Sequence, residues 1–289
     1  MRVIQADGAR LATESFGRPG DPALVLVMGA TASMLGWPEA LCTALASEGM
    51  HVLRFDHRDT GASTTRPPGA AGYAVEDMAA DVLAVMDGHG IRRAAVMGMS
   101  LGGYIAQMVA LMAPERVTAL VLVASEPLGW DGPALPHMSA AMLAHFGGLA
   151  GLDWTDGAAV AGFMVETERL CAGSVPGFDA GAAQAQVARV LARTDSPASM
   201  FNHAGLTLRD DWTGRFREIA PPVLVFHGAE DPVLPPANGE ALAAGIAGAD
   251  LVVVPGMGHE LVAPHLAGIV SEVAAFLRRR AGFRQSPVS

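Results

Sequence analysis

A serine flanked by glycines separates an apolar run from a second apolar segment with helical spacing. The motif is Gly98-Met99-Ser100-Leu101-Gly102, or G-x-S-x-G, preceded by RAAVM and followed by GYIAQMVALM. A sharp strand-to-helix turn needs such small neighbours and presents the serine hydroxyl above the sheet. At a helix N-terminus, backbone N–H groups and the helix dipole favour a developing negative charge. Ser100 is therefore a predicted nucleophile.

A serine hydroxyl is a weak nucleophile until a base removes its proton, so a histidine and an orienting acid are required. His259, in VVVPGMGHEL, follows the last predicted strand in a loop that contains glycines. Asp231, in VLVFHGAEDPVLPP, follows another predicted strand, and the proline after it favours a fixed turn that aims the carboxylate. The order Ser100, Asp231, His259 is the one expected for such a sheet enzyme. These residues are the predicted nucleophile, acid and base.

Other residues of the same types are less well placed. Glu230 adjoins Asp231, and Glu126 follows a different predicted strand. Glu126 is either an alternative acid or simply the first residue of a helical region. Four further histidines lie in an earlier loop, at a helix end, in the helical region and at the start of the last helix: His57, His89, His203 and His265.

Two backbone N–H groups must bind the oxyanion, each contributing roughly 3 kcal/mol of transition-state stabilisation. One is predicted to be the N–H of Leu101, the residue after the nucleophile. The other is predicted to be the N–H of Ala30, because the loop GATAS after the strand ALVLVM is small enough to approach a substrate carbonyl. Residues 56–63, DHRDTGAS, also follow a strand, and their charged side chains are predicted to brace the neighbouring loops.

The elements that position these residues alternate short apolar runs with longer helix-like segments. Continuous apolar strands separated by helices indicate a parallel sheet covered on both faces. RVIQA and ARLATESF, joined by DG, predict an antiparallel hairpin at its edge. The fold class is thus α/β, with a doubly wound and mostly parallel sheet. Its other predicted strands are residues 23–28, 51–55, 93–97, 117–124, 222–227 and 250–255.

The alternation is interrupted between residues 126 and 215. This segment contains helix-like sequences broken by glycine and proline and no clear strand. It predicts a helical cap, 126–215, inserted into a core formed by residues 1–125 and 216–289. Its large apolar side chains either form the interior of the cap or line a pocket for a hydrophobic substrate: Met138, Met142, Phe146, Met164 and Phe201.

Composition excludes several classes of protein. With 289 residues, 51% of them hydrophobic and 17% charged, the chain is long and apolar enough to bury a large core. Its formal net charge of −10 disfavours a phosphate-binding surface, so no nucleic-acid partner is predicted. No signal peptide or membrane-spanning run is recognised, which predicts a soluble cytoplasmic protein. Cys42 and Cys171 form no CxxC pattern, and neither a metal nor a cofactor is predicted.

Four motifs in their order along the chain carry a resemblance: DHRDTGAS, GMSLGG, HGAEDPVLP and PGMGH. With them the chain resembles the α/β-hydrolase fold superfamily over essentially its whole length. VMGATASMLGWP, FDHRDTGAST and PGMGH most resemble the anthracycline (aclacinomycin) methylesterases and related small bacterial carboxylesterases. The predicted helical cap, 126–215, does not share this resemblance, and Met28-Gly29 replaces the usual His-Gly at the end of the oxyanion strand.

The resemblance implies an eight-stranded sheet, a helical cap, the triad of Ser100, Asp231 and His259, and the oxyanion pair of Ala30 and Leu101. The predicted function is hydrolysis of a small to medium hydrophobic ester through an acyl-enzyme, with a methyl ester as one form. The alternatives are a cofactor-free perhydrolase (haloperoxidase), a C–C hydrolase or a thioesterase, and a non-catalytic ligand-binding protein of the same fold. Haloalkane dehalogenases and epoxide hydrolases are disfavoured, because their nucleophile is a carboxylate.

Overall fold

The structure, a computed structural model, describes residues 1–283. Positions 284–289 of the predicted core segment 216–289 lie outside the described residues. The strands are β1 Arg2–Ala6, β2 Ala9–Phe16, β3 Ala23–Val27, β4 His51–Phe55, β5 Ala94–Met99, β6 Val117–Val123, β7 Val223–Gly228 and β8 Asp250–Val254. The α-helices are α1 Glu39–Ser47, α2 Val75–Gly88, α3 Leu101–Met112, α4 Ala140–Gly147, α5 Gly157–Cys171, α6 Ala180–Leu191, α7 Ala237–Gly245 and α8 Ala263–Arg280.

All eight strands form one sheet in the order β1-β2-β4-β3-β5-β6-β7-β8. β1 pairs with β2, and β2 with β4, in antiparallel fashion, whereas every other pair is parallel. The predicted eight-stranded, mostly parallel sheet with an antiparallel edge is thereby confirmed. Because the parallel strands share one direction, the residues that follow β3 to β8 all lie along one edge of the sheet.

Helices cover both faces of the sheet because the central strands are apolar on both sides. In β5, Val96 packs in a core that includes side chains of α2, α3 and α7. Its neighbour Met97 packs on the other face, in a core that includes side chains of α1 and α8. All residues of β3, β4, β5 and β7 are buried. This double coverage explains why these strands read as continuous apolar runs rather than as alternating patterns.

Between β6 and β7 the chain forms helices only. We call residues 126–215, all of which the structure describes, the helical segment; it contains α4, α5, α6 and the 3-10 helices Gly148–Gly151 and Pro197–Gly205. Its large apolar side chains form two small clusters with loops of the sheet edge. Met138, Met142 and Phe146 pack with Val233 and Leu234, and Met164 and Phe201 pack with Leu35, Val190 and Met200.

Candidate active site

Ser100 occupies a strained turn between β5 and α3. Its φ of +53° and ψ of −123° lie outside the regions that residues with a Cβ normally adopt. Two hydrogen bonds from the neighbouring strand region hold it there. The Ser100 N–H donates to the Val123 carbonyl oxygen at 2.9 Å, and the Ser125 hydroxyl donates to the Ser100 carbonyl oxygen at 2.9 Å. The backbone of the serine is therefore fixed while its side chain caps no N–H of α3.

The glycines around Ser100 are required by close backbone approach. A Cβ on Gly98 would overlap the carbonyl oxygen of Gly102, and a Cβ on Gly102 would overlap that of Val27. The G-x-S-x-G spacing thus has a steric cause in the crossing of α3 over the ends of β3 and β5.

Asp231 and His259 meet at the same edge of the sheet, after β7 and β8. His259 Nδ1 lies 2.7 Å from Asp231 Oδ2. Asp231 Oδ1 accepts hydrogen bonds from the N–H groups of Val233 and Leu234, both at 2.8 Å. Since a carboxylate only accepts, Nδ1 of His259 carries the proton of this bond and Nε2 is left free to act as a base. The side chains of the acid and the histidine are 0% and 11% exposed, so the pair is shielded from water.

A second histidine supports the acid turn. His227, at the end of β7, donates from Nε2 to the Leu234 carbonyl oxygen at 2.7 Å, and the same nitrogen lies 3.6 Å from Asp231 Oδ2. Burial lowers the pKa of His227, which favours the neutral ring, and the carbonyl acceptor places the proton of that ring on Nε2. His227 therefore holds the turn that aims Asp231.

The loop after β3, residues 28–33, lies against Ser100. A Cβ on Gly29 would stand 3.2 Å from the Cβ of Ser100. Among residues 1–283, no protein group accepts a hydrogen bond from the N–H of Ala30. Thr31, the next residue, has a φ of +60°, which is a strained conformation for a β-branched side chain. The loop therefore brings backbone close to Ser100 at the position where the sequence predicts an oxyanion donor.

The loop after β4, residues 56–63, braces its neighbours as the sequence predicts. Arg58 forms a buried two-point ion pair with Asp81, at 2.7 and 2.8 Å. Asp56 Oδ1 accepts the Met34 N–H at 2.8 Å, and its Oδ2 accepts from Arg193 of the helical segment at 2.9 Å. These contacts tie the loop after β3 and the helical segment to β4.

The alternative acids occupy other positions. Glu126 follows β6, and its carboxylate lies 3.5 Å from His137 Nε2; burial raises the pKa of Glu126. The carboxylate of Glu230 accepts the N–H and the hydroxyl of Ser174, at 2.8 and 2.7 Å. Of the three carboxylates considered, Asp231 is the one that hydrogen-bonds to His259.

Within residues 1–283, no cluster of three or more His, Cys, Asp or Glu side chains is arranged to hold a metal ion. In the same part of the chain, no helix is long and apolar enough to cross a membrane.

Several residues near the predicted site were not recognised from the sequence. His203, in the 3-10 helix Pro197–Gly205, accepts a hydrogen bond from the Thr31 N–H at 3.1 Å. Asn202 donates to Asp59 Oδ2 at 2.9 Å. These contacts join residues more than 140 positions apart, and no local spacing signals them.

The chain is similar to known hydrolases over most of its length. The model of the alpha/beta hydrolase fold family matches residues 22–266. Rhodomycin D methylesterase DnrP of Streptomyces peucetius is 32% identical over 275 residues, which cover 90% of this chain and 92% of that protein.

Solved structures show the same architecture. A hydrolase from Pseudomonas aeruginosa PA01 is 29% identical, with a TM-score of 0.71 and coverage of 95% of this chain and 96% of that one. The esterase RhEst1 from Rhodococcus sp. ECU1013 is 22% identical, with a TM-score of 0.76 and coverage of 96% and 97%. The second likeness concerns the fold alone.

Proposed function

Because this chain belongs to the alpha/beta hydrolase fold family, we propose that it is a serine carboxylic ester hydrolase that uses Ser100, Asp231 and His259. One observation carries the proposal: an acid and a histidine 2.7 Å apart lie at the same sheet edge as a serine held at a φ of +53°. A ligand-binding protein has no need for this combination, since the strained turn and the buried carboxylate of Asp231 both reduce stability.

In the proposed reaction, Ser100 Oγ attacks the carbonyl carbon of the ester while His259 Nε2 takes the hydroxyl proton. The N–H groups of Ala30 and Leu101 bind the oxyanion that forms. As the intermediate collapses, the bond to the alcohol oxygen breaks and His259 returns the proton to the departing alcohol. Asp231 holds the required tautomer and stabilises the imidazolium.

The acyl-enzyme is then hydrolysed in a second step, in which water takes the place of the alcohol and His259 is again the base. A water molecule attacks the acyl carbon while His259 takes one of its protons. The bond to Ser100 Oγ breaks, the proton passes back to the serine, and the acid product leaves. One imidazole therefore moves every proton in both steps, and the net reaction consumes one ester and one water molecule to give an alcohol and an acid.

The proposed substrate is a small to medium hydrophobic ester, with methyl esters as the first class to test. The relative DnrP, which is similar along 90% of this chain, is named as a methylesterase. The helical segment reaches this sheet edge, because Met142 is buried against Val233 and Leu234, the two residues whose N–H groups bond to Asp231. We propose that this segment, residues 126–215, is the cap on a core formed by the rest of the chain, and that it selects the substrate.

The test is a panel of 4-nitrophenyl esters of increasing acyl length, run with bulky methyl esters, thioesters and peracid formation from acetate and peroxide. We expect ester hydrolysis together with labelling of the wild-type chain by a fluorophosphonate. Ser100→Ala should lose at least about 10³-fold in kcat, keep its Tm and fail to label. A Ser100→Ala variant with near wild-type rate would rule out the proposed nucleophile, and dominant peracid formation would favour the perhydrolase.

Asp231→Asn tests the acid independently. Its side chain retains an oxygen for the two backbone N–H groups but presents an amide to His259 and inverts the imidazole tautomer. We expect kcat to fall by about 10⁴-fold. Glu126→Gln serves as the matched control, and a larger loss there than at Asp231 would transfer the role to Glu126.

A further inference from the structure

Two buried histidines bond to the backbone of the loop after β3, one on each side of Ala30. His57, from the loop after β4, donates from Nε2 to the Met28 carbonyl oxygen at 2.9 Å. His203, from the helical segment, accepts the Thr31 N–H on Nδ1 at 3.1 Å. Their rings meet edge to face with centroids 5.8 Å apart. The peptide that carries the Ala30 N–H is thus bounded by two rings in contact with each other.

The partners of His203 determine its tautomer. Its Nε2 lies 2.8 Å from the carbonyl oxygen of Arg58, which only accepts, so Nε2 carries the proton. Nδ1 is then the acceptor that the Thr31 N–H requires. The residue is 5% exposed, and burial lowers the pKa of His203, which keeps the ring neutral. Either protonation or the other tautomer would place two N–H groups against each other.

The 3-10 helix that carries His203 is itself held in place. Asn202 bonds to Asp59 Oδ2 and accepts the Gly69 N–H at 2.7 Å, and the Ser199 hydroxyl donates to the Arg66 carbonyl oxygen at 2.7 Å. These contacts dock the helix on residues 56–69, the chain after β4. His203 alone among them extends to the loop after β3, so it transmits the position of the docked helix to that loop.

Thr31 is the residue on which this contact acts. A β-branched residue at a φ of +60° costs on the order of 1–3 kcal/mol and persists only when its surroundings hold it. The bond to His203 is the one that fixes its N–H. Without that acceptor, the Thr31 peptide is free to relax toward negative φ, and the adjoining Ala30 N–H turns with it.

We propose that His203 is a positioning residue for the oxyanion hole: by accepting the Thr31 N–H, it holds the loop after β3 so that the Ala30 N–H points at the ester oxyanion. This inference rests on the proposed function. His203 contacts no reacting atom, and its effect belongs to the transition state, where the oxyanion exists, more than to substrate binding.

Two variants separate positioning from mere support of the fold. His203→Asn keeps an oxygen acceptor near the place of Nδ1 and loses the donor to Arg58. His203→Gln keeps a donor near the place of Nε2 and loses the acceptor for Thr31. Each removes one buried hydrogen bond, so both should lower Tm by similar amounts. Ser199→Ala removes the hydroxyl contacts to Arg66 and Ser196 from the same helix without touching the loop, and it is the stability control.

We expect the kcat of His203→Gln on a 4-nitrophenyl ester to fall about 10-fold to 100-fold with KM within about threefold, because the donor is misplaced rather than deleted. His203→Asn and Ser199→Ala should stay within about threefold of wild type. Equal kcat losses in the Asn and Gln variants, or kcat values that follow Tm across all three, would overturn the inference.

Inhibitor binding gives a second readout. A trifluoromethyl ketone forms an oxyanion on a serine, whereas the matching methyl ketone binds without one. The Gln variant should lose affinity for the first about tenfold and keep its affinity for the second. Equal losses for both ketones would contradict positioning.

The tautomer of His203 can be measured in the wild type, so this test does not depend on whether the variants fold. The side-chain ¹⁵N resonances should show His203 with an unprotonated Nδ1 and a protonated Nε2 at pH 7, and a proton on Nδ1 would overturn the inference. If the wild type neither hydrolyses esters nor labels at Ser100, the proposed function fails and this inference fails with it. If the wild type is active and labels at Ser100 but His203→Asn and His203→Gln lose kcat equally, only the role of His203 is refuted.

Discussion

The sheet and the helical segment are held together by different forces. Every residue of β5 and β7 is buried, and their apolar side chains belong to two large apolar cores. In the helical segment, by contrast, α4 and α5 each bury a single residue, Met142 and Val160. The central strands are therefore stabilised by apolar burial along their whole length, whereas the helical segment buries fewer apolar side chains.

Buried polar contacts attach the helical segment to the core. Arg193 pairs with Asp56 at 2.9 Å, Asn202 bonds to Asp59, and the Trp212 indole N–H donates to Glu76 at 2.9 Å. All three acceptors are buried carboxylates of the core. A region anchored in this way can change its apolar surface while its attachment to the sheet is preserved.

The largest expected loss of stability comes from a substitution where α3 crosses the end of β3. Gly102→Ala would place a Cβ on the Val27 carbonyl oxygen, which is backbone and cannot move aside. We expect the free energy of unfolding to fall by about 3 kcal/mol or more, or folding to fail. Urea unfolding at 25 °C measures this. A loss below about 1 kcal/mol would show that α3 moves freely over β3.

The next largest loss of stability is expected when the ion pair between Arg193 and Asp56 is removed. Arg193→Met leaves the fully buried carboxylate of Asp56 with only backbone donors, while Arg193 itself is 22% exposed. We expect a loss of about 2 kcal/mol in the free energy of unfolding, reduced from the fully buried case by solvent screening. Burial raises the pKa of Asp56, so the loss should be smaller at pH 5 than at pH 8.

A double-mutant cycle with Asp56→Asn provides the control for that anchor. If the ion pair carries the effect, the second substitution should cost little once the first is present. Strictly additive losses would instead assign the effect to side-chain packing.

The acid stability of the protein should depend on its buried histidines. Burial lowers the pKa of His57 to about 3, well below its ordinary value. Below pH 6.5 the unfolded chain therefore binds a proton that the folded chain does not. The free energy of unfolding falls toward pH 3 by up to about 1.4 kcal/mol per pH unit for this residue.

His57→Gln should flatten this slope between pH 6 and pH 4, as followed by urea unfolding. The mostly exposed His137 offers the matched substitution, His137→Gln, which should leave the slope as in the wild type. Parallel slopes in all three proteins would assign the acid sensitivity to other groups.

The smallest expected effect is a gain in stability from a substitution in the helical segment. Gly162 lies inside α5 of the helical segment, and a Cβ there would meet nothing within 4 Å. Gly162→Ala should therefore raise the free energy of unfolding by about 0.5–1 kcal/mol, the opposite sign to Gly102→Ala. The same urea experiment serves both variants, and destabilisation here would mean that α5 packs more tightly than its exposure indicates.

The elements of the sheet were predicted nearly residue by residue. β1, β2 and β4 match their predicted bounds, and β3 and β6 each end one residue earlier than predicted. The hairpin of β1 and β2 is signalled by the Asp7-Gly8 turn between them. The parallel strands are signalled by apolar runs of five or more residues between turns, because a strand covered on both faces must be apolar throughout. The positions of Ser100, Asp231 and His259 at strand ends follow from the same signal.

The contacts of the helical segment left no such signal. His203 was one of several histidines without a favourable position, and its hydrogen bonds to Thr31 and Arg58 span 172 and 145 positions. A polar side chain that meets backbone groups far away in the chain has no required spacing, so only the folded arrangement reveals its partner.

By itself, the sequence determined the strands, their mostly parallel pairing and the glycine-bounded serine, because short-range patterning and steric limits act on neighbouring residues. Only the tertiary structure decided between the predicted acid Asp231 and its alternatives Glu230 and Glu126, which side chains anchor the helical segment, and how the loop beside Ser100 is held. Those outcomes depend on distances between elements that the chain brings together only on folding, and hydrogen bonds depend on such distances to within a few tenths of an ångström.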